Sequence, residues 1–594
     1  MRANNTLHAA GLVLTGLLIG AAPASAALPN CNPATLTGFA VPNVTIVAAV
    51  DVPASSASPE FCDVLGTVKT TGFGAPDGSA RFELRLPTPW NGKFLFFGVG
   101  GFAGTLNPAT NPIDFLQALP RGYATIVTDT GHVGQGLDPK DQLGATTDAR
   151  WALIAPGVPD RAKITDYYFR ATHQVTAAGK RLVQSFYQAP VRRAYFDGCS
   201  NGGRMAYMEA TRFPEDFDGL IAGAPFLDLR VLLAGQHFHR TQLASPNAYI
   251  PFTKLPMIDA AVRASCDAAD GVTDGLIQNP GKCAFNPQTL VTPACTAADP
   301  TCLTADQAQT LATYFTALRD EDGKQVYTGA AVSDLGGLDG MDAWSTGFVP
   351  PTSFTANEPW GNQGFSPAPI SWQFMDHAIK YIVTRDPNFD ARSFDQGSGG
   401  FDEDALELFD RRTEAGDADD PEDFKPFLRQ NRKLLVYHGF SDPALPAFRT
   451  VRHYEALAQR NRGFDELGKN IRLFLAPGMH HCGGGPGPNL FDTLTVLDNW
   501  VEHGLAPDAI PATHFVNNNP ALGVDRTMLL CPFPTQAQYL GSGDANSAAS
   551  WTCTPNQRLL DVGPNGRQAG LGERNDREHD HGDDGDDQGR GDRP

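Results

Sequence analysis

Five short apolar runs, each passing at once into glycine, polar or charged residues, constrain this chain more than any other feature. Lys93–Phe97 runs into Gly-Val-Gly-Gly, and Ala124–Thr128 into Asp-Thr-Gly-His. Ala194–Asp197 runs into Gly-Cys-Ser-Asn-Gly, Leu434–Tyr437 into His-Gly-Phe-Ser-Asp-Pro, and Ile471–Leu475 into Ala-Pro-Gly-Met-His-His-Cys. Continuous apolar runs of this length suit strands buried on both faces, as in parallel sheets. Helical patterns lie between them. In 166–186, Ala171, Val175, Ala178 and Leu182 share one face. The alternation predicts an α/β fold, with functional groups on the loops beyond the strand C-termini. A chain with 41% hydrophobic and 19% charged residues can bury a core, which excludes wholesale disorder.

Composition divides the 594 residues into five stretches. Residues 1–26 combine Arg2, an apolar run over Gly11–Ala22 and a small-x-small site at Ala24-Ser25-Ala26. This pattern predicts a secretory signal peptide, with Ala27 starting the mature chain. The expected location is secreted or periplasmic, where disulfides persist. No later run reaches the length of a membrane span, so no membrane partner is expected after cleavage. Residues 27–226 and 431–563 carry the strand-like runs and form the two parts of the core. Between them, 227–430 is poor in such runs and dense in Gly, Pro and Asp, which predicts an inserted lid domain. Residues 564–594 are read as a disordered charged tail. The net charge of -20, from 46 basic and 66 acidic residues, disfavours nucleic acid as a partner.

Gly198-Cys199-Ser200-Asn201-Gly202 fits G-x-S-x-G, the sharp strand-to-helix turn that exposes a nucleophilic serine. An apolar run precedes it and a helix-compatible segment follows. A serine needs a base, and the base needs an orienting acid. Asp442 and His481 follow the fourth and fifth runs, in the chain order Ser, Asp, His of α/β-hydrolases. His480 is an adjacent rival that spacing does not separate. The developing oxyanion also needs donors. The N–H of Asn201 supplies one, and the glycine-rich loop ending at Gly101 supplies the second. That loop lacks the Lys-Ser/Thr of a phosphate-binding P-loop.

At these residues the chain resembles the tannase/feruloyl esterase family of secreted serine esterases, which also includes a terephthalate half-ester hydrolase. The resemblance runs from about Cys31 to Cys553. It rests on Cys199-Ser200, the distant Asp442, and His481-Cys482, within the blocks Gly198–Pro225 and Pro477–Gly487. It implies an α/β-hydrolase core with a large inserted lid, and a small aromatic ester as substrate. It assigns the base to His481, because Cys482 pairs with Cys199 in that family. It implies the further pairs Cys31–Cys62, Cys266–Cys283, Cys295–Cys302 and Cys531–Cys553, in keeping with an even total of ten cysteines.

Asp267, Asp270 and Asp274 place three carboxylates within eight residues, with Gly271 and Gly275 directly after the second and third. Hard oxygen donors at this density suit calcium. The resemblance implies a structural Ca²⁺ site in the lid, held by these carboxylates and the carbonyls of Val272 and Leu276. For the substrate pocket, Trp360, Phe365, Trp372 and Phe374 are candidate aromatic walls. No arginine lies between Arg319 and Arg385 to clamp a free carboxylate. The expectation is therefore an esterase of neutral phenolic acids such as feruloyl or galloyl esters. Terephthalate-type or other aryl esters are the alternative, with a serine peptidase behind them. A calcium-dependent binding protein with a degenerate core is the non-enzymatic alternative.

Overall fold

The computed structural model describes residues 30–134, 146–361, 367–395, 400–554 and 562–572. The signal-peptide reading lies outside the described residues. Nine strands form one sheet: β1 (Val44–Val52), β2 (Glu60–Thr70), β3 (Gly78–Thr88), β4 (Lys93–Phe97), β5 (Ala124–Thr128), β6 (Arg193–Cys199), β7 (Gly219–Gly223), β8 (Lys433–Gly439) and β9 (Ile471–Ala476). Their order is β1-β2-β3-β5-β4-β6-β7-β8-β9. From β5 to β9 every pairing is parallel, and β1–β3 add an antiparallel wing. The five apolar runs are β4, β5, β6, β8 and β9. Every residue of β5, β7 and β8 is buried, as strands covered on both faces require. This is the expected α/β architecture.

Two features of the sheet escape a search for continuous apolar runs. The wing strands alternate in burial because one face is partly solvated, as in β2 and β3. β7, Gly-Leu-Ile-Ala-Gly, is short and begins and ends in glycine. A Cβ at Gly219 would stand 2.8 Å from Val501 Cγ2, so helix Thr493–His503 packs directly on the strand backbone.

Helix α1 (Ala171–Tyr187) packs on the sheet through Ala171, Val175, Ala178 and Leu182, all buried as the periodicity predicts. Helix α2 (Asn201–Arg212) follows β6 directly. In the inserted segment, α3 (Val231–Gln242), α4 (Leu255–Cys266) and α5 (Ala305–Phe315) enclose a core of their own, built from Phe238, Leu255, Ile258, Val262, Leu311 and Phe315. The later part does not stand apart. Trp372, Met375, Ile379, Phe401, Phe424 and Phe427 join the main core.

Two stretches depart from the sequence-based division. Residues 510–554 lie outside the nine-stranded sheet as two antiparallel ribbons, Ile510–Phe515 with Val524–Leu530 and Gln536–Tyr539 with Trp551–Thr554. The tail boundary at 564 also needs correction. Pro564–Gln568 is helical, and Asn565, Gly566, Ala569 and Leu571 are buried. Asn565 donates its N–H to the Cys283 carbonyl and accepts the Val332 N–H on Oδ1 at 3.0 Å. A few hydrogen bonds and small apolar contacts order a segment whose composition suggested none. Residues 573–594 lie outside the described residues. Asn565→Ala leaves a buried N–H unpaired, so it should cost about 1–3 kcal/mol of stability, read by denaturant or thermal unfolding.

Candidate active site

Ser200 sits between β6 and α2 with φ 64° and ψ −123°, a conformation that side-chain-bearing residues rarely adopt. Such strain costs on the order of 1–3 kcal/mol and persists only where the surroundings over-determine it. Here the Ser200 N–H donates to the Gly223 carbonyl at 2.9 Å, and the Cys199 N–H to the Ala109 carbonyl at 2.7 Å. A Cβ on Gly198 would stand 2.7 Å from the Gly202 carbonyl carbon and oxygen, and one on Gly98 2.6 Å from Gly202 Cα. The turn therefore closes only with glycine at these positions, and it draws the 98–101 loop against the start of α2.

Side chains lock the same junction. The Asn201 amide donates to the Val99 carbonyl at 2.9 Å, and its oxygen accepts from Arg204 Nε at 2.9 Å. Arg204 is fully buried. Its remaining donors reach the carbonyls of Tyr168, Gly416 and Tyr167 at 3.0, 3.2 and 3.1 Å. The guanidinium also lies 4.7 Å from the Tyr167 ring centroid, a cation–π contact. Tyr167 in turn donates its hydroxyl to the Gly101 carbonyl at 3.0 Å. Asn201 and Gly101, the two expected oxyanion donors, are thus held by one connected network.

Asp442 is buried beyond β8. Its Oδ1 accepts the N–H groups of Ala444 and Leu445 at 2.8 and 2.9 Å, and its Oδ2 faces His481 Nδ1 at 2.8 Å. His438 Nε2 lies 3.2 Å from the same oxygen and 2.9 Å from the Leu445 carbonyl. Burial favours the neutral acid, but His481 and His438 outweigh it and hold the carboxyl well below the ordinary carboxylate range. His438 was not singled out from sequence. Its place four residues before Asp442, at the end of an apolar run, was the only available signal. His480 faces elsewhere: its Nδ1 lies 3.1 Å from Asp339 Oδ1, in the inserted segment. The structure thus sets His481 on Asp442 and His480 on the lid, a separation that spacing did not make. Trp344 presents its ring to His481 at 4.9 Å between centroids, with planes 75° apart.

Ser200 and His481 border two cavities that also share Gly101, Trp344 and Phe374. One, about 1000 Å³ including its mouth, is walled by lid side chains such as Phe238, Tyr314 and Leu318, with Phe226 of the core beside them. The other, about 760 Å³, is bordered by Thr105, Asn107, Thr146 and Thr147. Ser200 therefore borders both an apolar chamber and a more polar one. Of the four expected aromatic walls, Phe374 lines both chambers, whereas Trp360 and Trp372 pack in the core 5.6 Å apart. Phe365 lies outside the described residues.

A sequence profile described as tannase and feruloyl esterase matches residues 62–554. The chain belongs to this family. Among its relatives, the mono(2-hydroxyethyl) terephthalate hydrolase of Piscinibacter sakaiensis is 34% identical over 550 residues, covering 85% of this chain and 87% of that protein. An uncharacterised esterase of Xanthomonas campestris is 32% identical, covering 93% and 96% of the two chains. A probable feruloyl esterase of Arthroderma benhamiae is 31% identical, covering 79% and 81%. The crystal structure of feruloyl esterase B from Aspergillus oryzae superposes with a TM-score of 0.71 at 22% identity, covering 89% of this chain and 100% of that one. At that identity the superposition speaks to the fold, which is that of an α/β-hydrolase. With its esterase relatives spanning most of their length, this member of the tannase and feruloyl esterase family is a carboxylic ester hydrolase.

The family resemblance implied five disulfides, and all five are formed: Cys31–Cys62, Cys199–Cys482, Cys266–Cys283, Cys295–Cys302 and Cys531–Cys553. Cys199–Cys482 joins the neighbours of Ser200 and His481 across 283 residues, with Cα atoms 5.9 Å apart. Cys482 itself has φ 63°, so both loops are strained where the bridge holds them.

In the aspartate loop every carboxylate oxygen accepts one N–H. Asp267 takes those of Asp274 and Gly275, Asp270 those of Val272 and Gln278, and Asp274 those of Leu276 and Arg526. Burial, with Asp274 and Asp267 alongside, pushes the Asp270 carboxyl up to about 7.

A nucleophile–base contact tolerates little slack, since roughly 1 Å of misplacement can cost about a hundredfold in rate. A Cys199→Ala, Cys482→Ala double variant should therefore lose most of its kcat at temperatures where circular dichroism still shows it folded. A lower Tm with kcat near the parent value would make the bridge a staple of the fold only.

Proposed function

We propose that the chain hydrolyses esters of neutral aromatic acids, of feruloyl or galloyl type, through an acyl-enzyme on Ser200. The observation that carries this is that Ser200 borders both chambers together with His481, whose Nδ1 is turned to Asp442. With Nδ1–H donating to Asp442, Nε2 is left to take the Ser200 Oγ proton as the oxygen attacks the ester carbonyl. The N–H groups of Asn201 and Gly101 receive the oxyanion. His481 then protonates the departing alkoxide, and a water activated by the same nitrogen releases the acid. The aromatic ring of the acyl group occupies the lid-walled chamber, and the alcohol leaves through the polar one.

Charge supports the choice of acyl group. Among the described residues, no Lys or Arg lines either chamber. Burial lowers the His237 pKa and raises that of Tyr314, so both stay neutral at neutral pH. A free carboxylate in that chamber would be buried without a partner. This weighs against terephthalate half-esters, the substrate in the name of one relative. Methyl ferulate or methyl gallate should be turned over with at least a tenfold higher kcat/KM than mono(2-hydroxyethyl) terephthalate, and a peptide anilide not at all. Ser200→Ala should lower kcat by about 10⁴-fold or more while the protein stays folded. A preference for the terephthalate half-ester would overturn the acyl assignment, and an active Ser200→Ala enzyme the mechanism.

The lid loop has the donor chemistry of a structural Ca²⁺ site, although without an ion its three carboxylates do not all come within 4.8 Å of one another. Its donors are all oxygen, and each carboxylate oxygen keeps a lone pair beyond the one spent on an N–H. Asp267, Asp270 and Asp274, with the carbonyls of Val272 and Leu276, would hold the ion, whose charge offsets the burial that raises Asp270. EDTA should then lower the Tm, and Asp270→Ala should abolish that sensitivity. An equal EDTA effect in the variant would remove the site.

Export to an oxidising compartment completes the reading. It is supported by five disulfides with no free cysteine among the described residues. No helix among the described residues is long and apolar enough to cross a membrane.

A further inference from the structure

One cluster of ligand-type side chains stands apart from both the acyl site and the aspartate loop. His173 projects from α1, Glu209 from α2 nine residues beyond Ser200, and Asp216 from the turn that leads into β7. One donor atom from each lies within 4.8 Å of the other two, and among the described residues this group alone brings three such residues so close. His173 Nδ1 and Asp216 Oδ2 are 2.6 Å apart. Phe213 stacks on the imidazole at 3.9 Å between centroids and so fixes the plane of the ring. His173 and Asp216 keep 25% and 12% of their side-chain surface in solvent, which leaves a path in and room for a water.

The decisive residue is Glu209. It is 1% exposed, neither carboxylate oxygen has a hydrogen-bond donor, and burial with the Asp216 carboxyl alongside pushes its own carboxyl well up. Buried polar groups are almost always satisfied, and a buried carboxylate is among the costliest to leave otherwise. Two arrangements satisfy it: a proton shared with Asp216, or a cation held by all three side chains. The surplus of negative charge calls for one or the other, and the convergence of an imidazole nitrogen on both carboxylates, open to solvent at His173, favours the cation. Glu215 and Asp218 add to Glu209 and Asp216, making four carboxylates against Lys180 and Arg432. Lys180 directs its Nζ to the main-chain carbonyl of Asp216, not to the carboxylates.

We propose that His173, Glu209 and Asp216 bind a divalent cation of the zinc class. One imidazole nitrogen and two carboxylate oxygens suit a borderline ion that accepts nitrogen and takes four ligands, the fourth being water. Calcium, with its all-oxygen preference, fits the lid loop instead. On binding, the His173–Asp216 hydrogen bond gives way to coordination, and any proton on Nδ1 leaves to solvent or moves to Nε2. The ion would tie α2, which begins at Ser200, to α1 and to the turn entering β7. It has no part in the acyl chemistry, since nine residues of helix place Glu209 about 13 Å from the nucleophile.

The test uses the full chain, stripped with chelator and refilled with Ca²⁺ so that the lid loop does not report. One equivalent of ZnCl₂ should raise the Tm by a few degrees in the parent, as expected of a ligand well above its Kd. The shift should vanish in His173→Phe, which preserves the stack on Phe213, and in Asp216→Asn. Methyl ferulate turnover should stay within about twofold of the parent in the apo and zinc-loaded forms alike. Crystals soaked in zinc should show an anomalous peak bounded by the three side chains, a readout that needs no variant to fold. The shared proton predicts the opposite: no peak, and the same Tm with or without zinc in parent and variants. Either of those results would overturn the site.

Discussion

A serine held at φ 64° is the constraint on which the rest of the architecture depends. Left alone, that backbone would relax. It is kept by the Ser200 N–H on Gly223, by glycines where no side chain fits, and by Asn201 and Arg204. Arg204 carries the constraint furthest. Its guanidinium, fully removed from water, is satisfied only if the carbonyls of Tyr167, Tyr168 and Gly416 are where they are. One turn of chain thereby fixes the approach to α1, the 98–101 loop and a piece of the inserted segment.

The inserted segment does more than cover the sheet. Ser333 hydrogen-bonds Ser441, the residue before Asp442, at 2.8 Å, and Asp339 reaches both His480 and the Gly485 N–H. Asp259 on α4 holds the N–H groups of Leu335 and Gly336. The acid loop and the histidine loop are therefore each anchored to the lid as well as to their strands. The ribbons at 510–554 close the circuit: Arg526 binds the Asp274 carboxylate and carbonyl, and Val272 packs beside Met528 and Trp551. The aspartate loop thus lies between the lid core and the C-terminal ribbons, where a bound cation would stiffen both.

The buried strands were legible because full burial leaves an unmistakable run of apolar residues. The wing strands β1–β3 were not, since partial solvation dilutes the run, and β7 was not, since its glycines admit a helix at van der Waals distance. The ordered stretch 562–572 was hidden for a related reason. Asn565 gains order from Cys283 and Val332, and Ala569 from Gly329, partners hundreds of residues away, and not from their own hydropathy.

For the site, chain order and local motifs pointed to Ser200, Asp442 and one of His480 and His481, and the family resemblance chose His481. A nucleophile turn is a local backbone requirement, and the residues after buried strands are confined to one edge of a parallel sheet. Resemblance to a family, and not spacing, paired the cysteines. Only the tertiary structure showed that His438 supports Asp442, that His480 turns to Asp339 of the lid, and that Trp344 and Phe374 line both chambers. These are contacts between segments far apart in the chain, made by side chains whose identity alone does not reveal their neighbours. The sequence by itself determined which residues could do chemistry, because chemistry resides in residue type. The packing of the lid decided what substrate space they face, because that space is bounded by surfaces that meet only when the chain is folded.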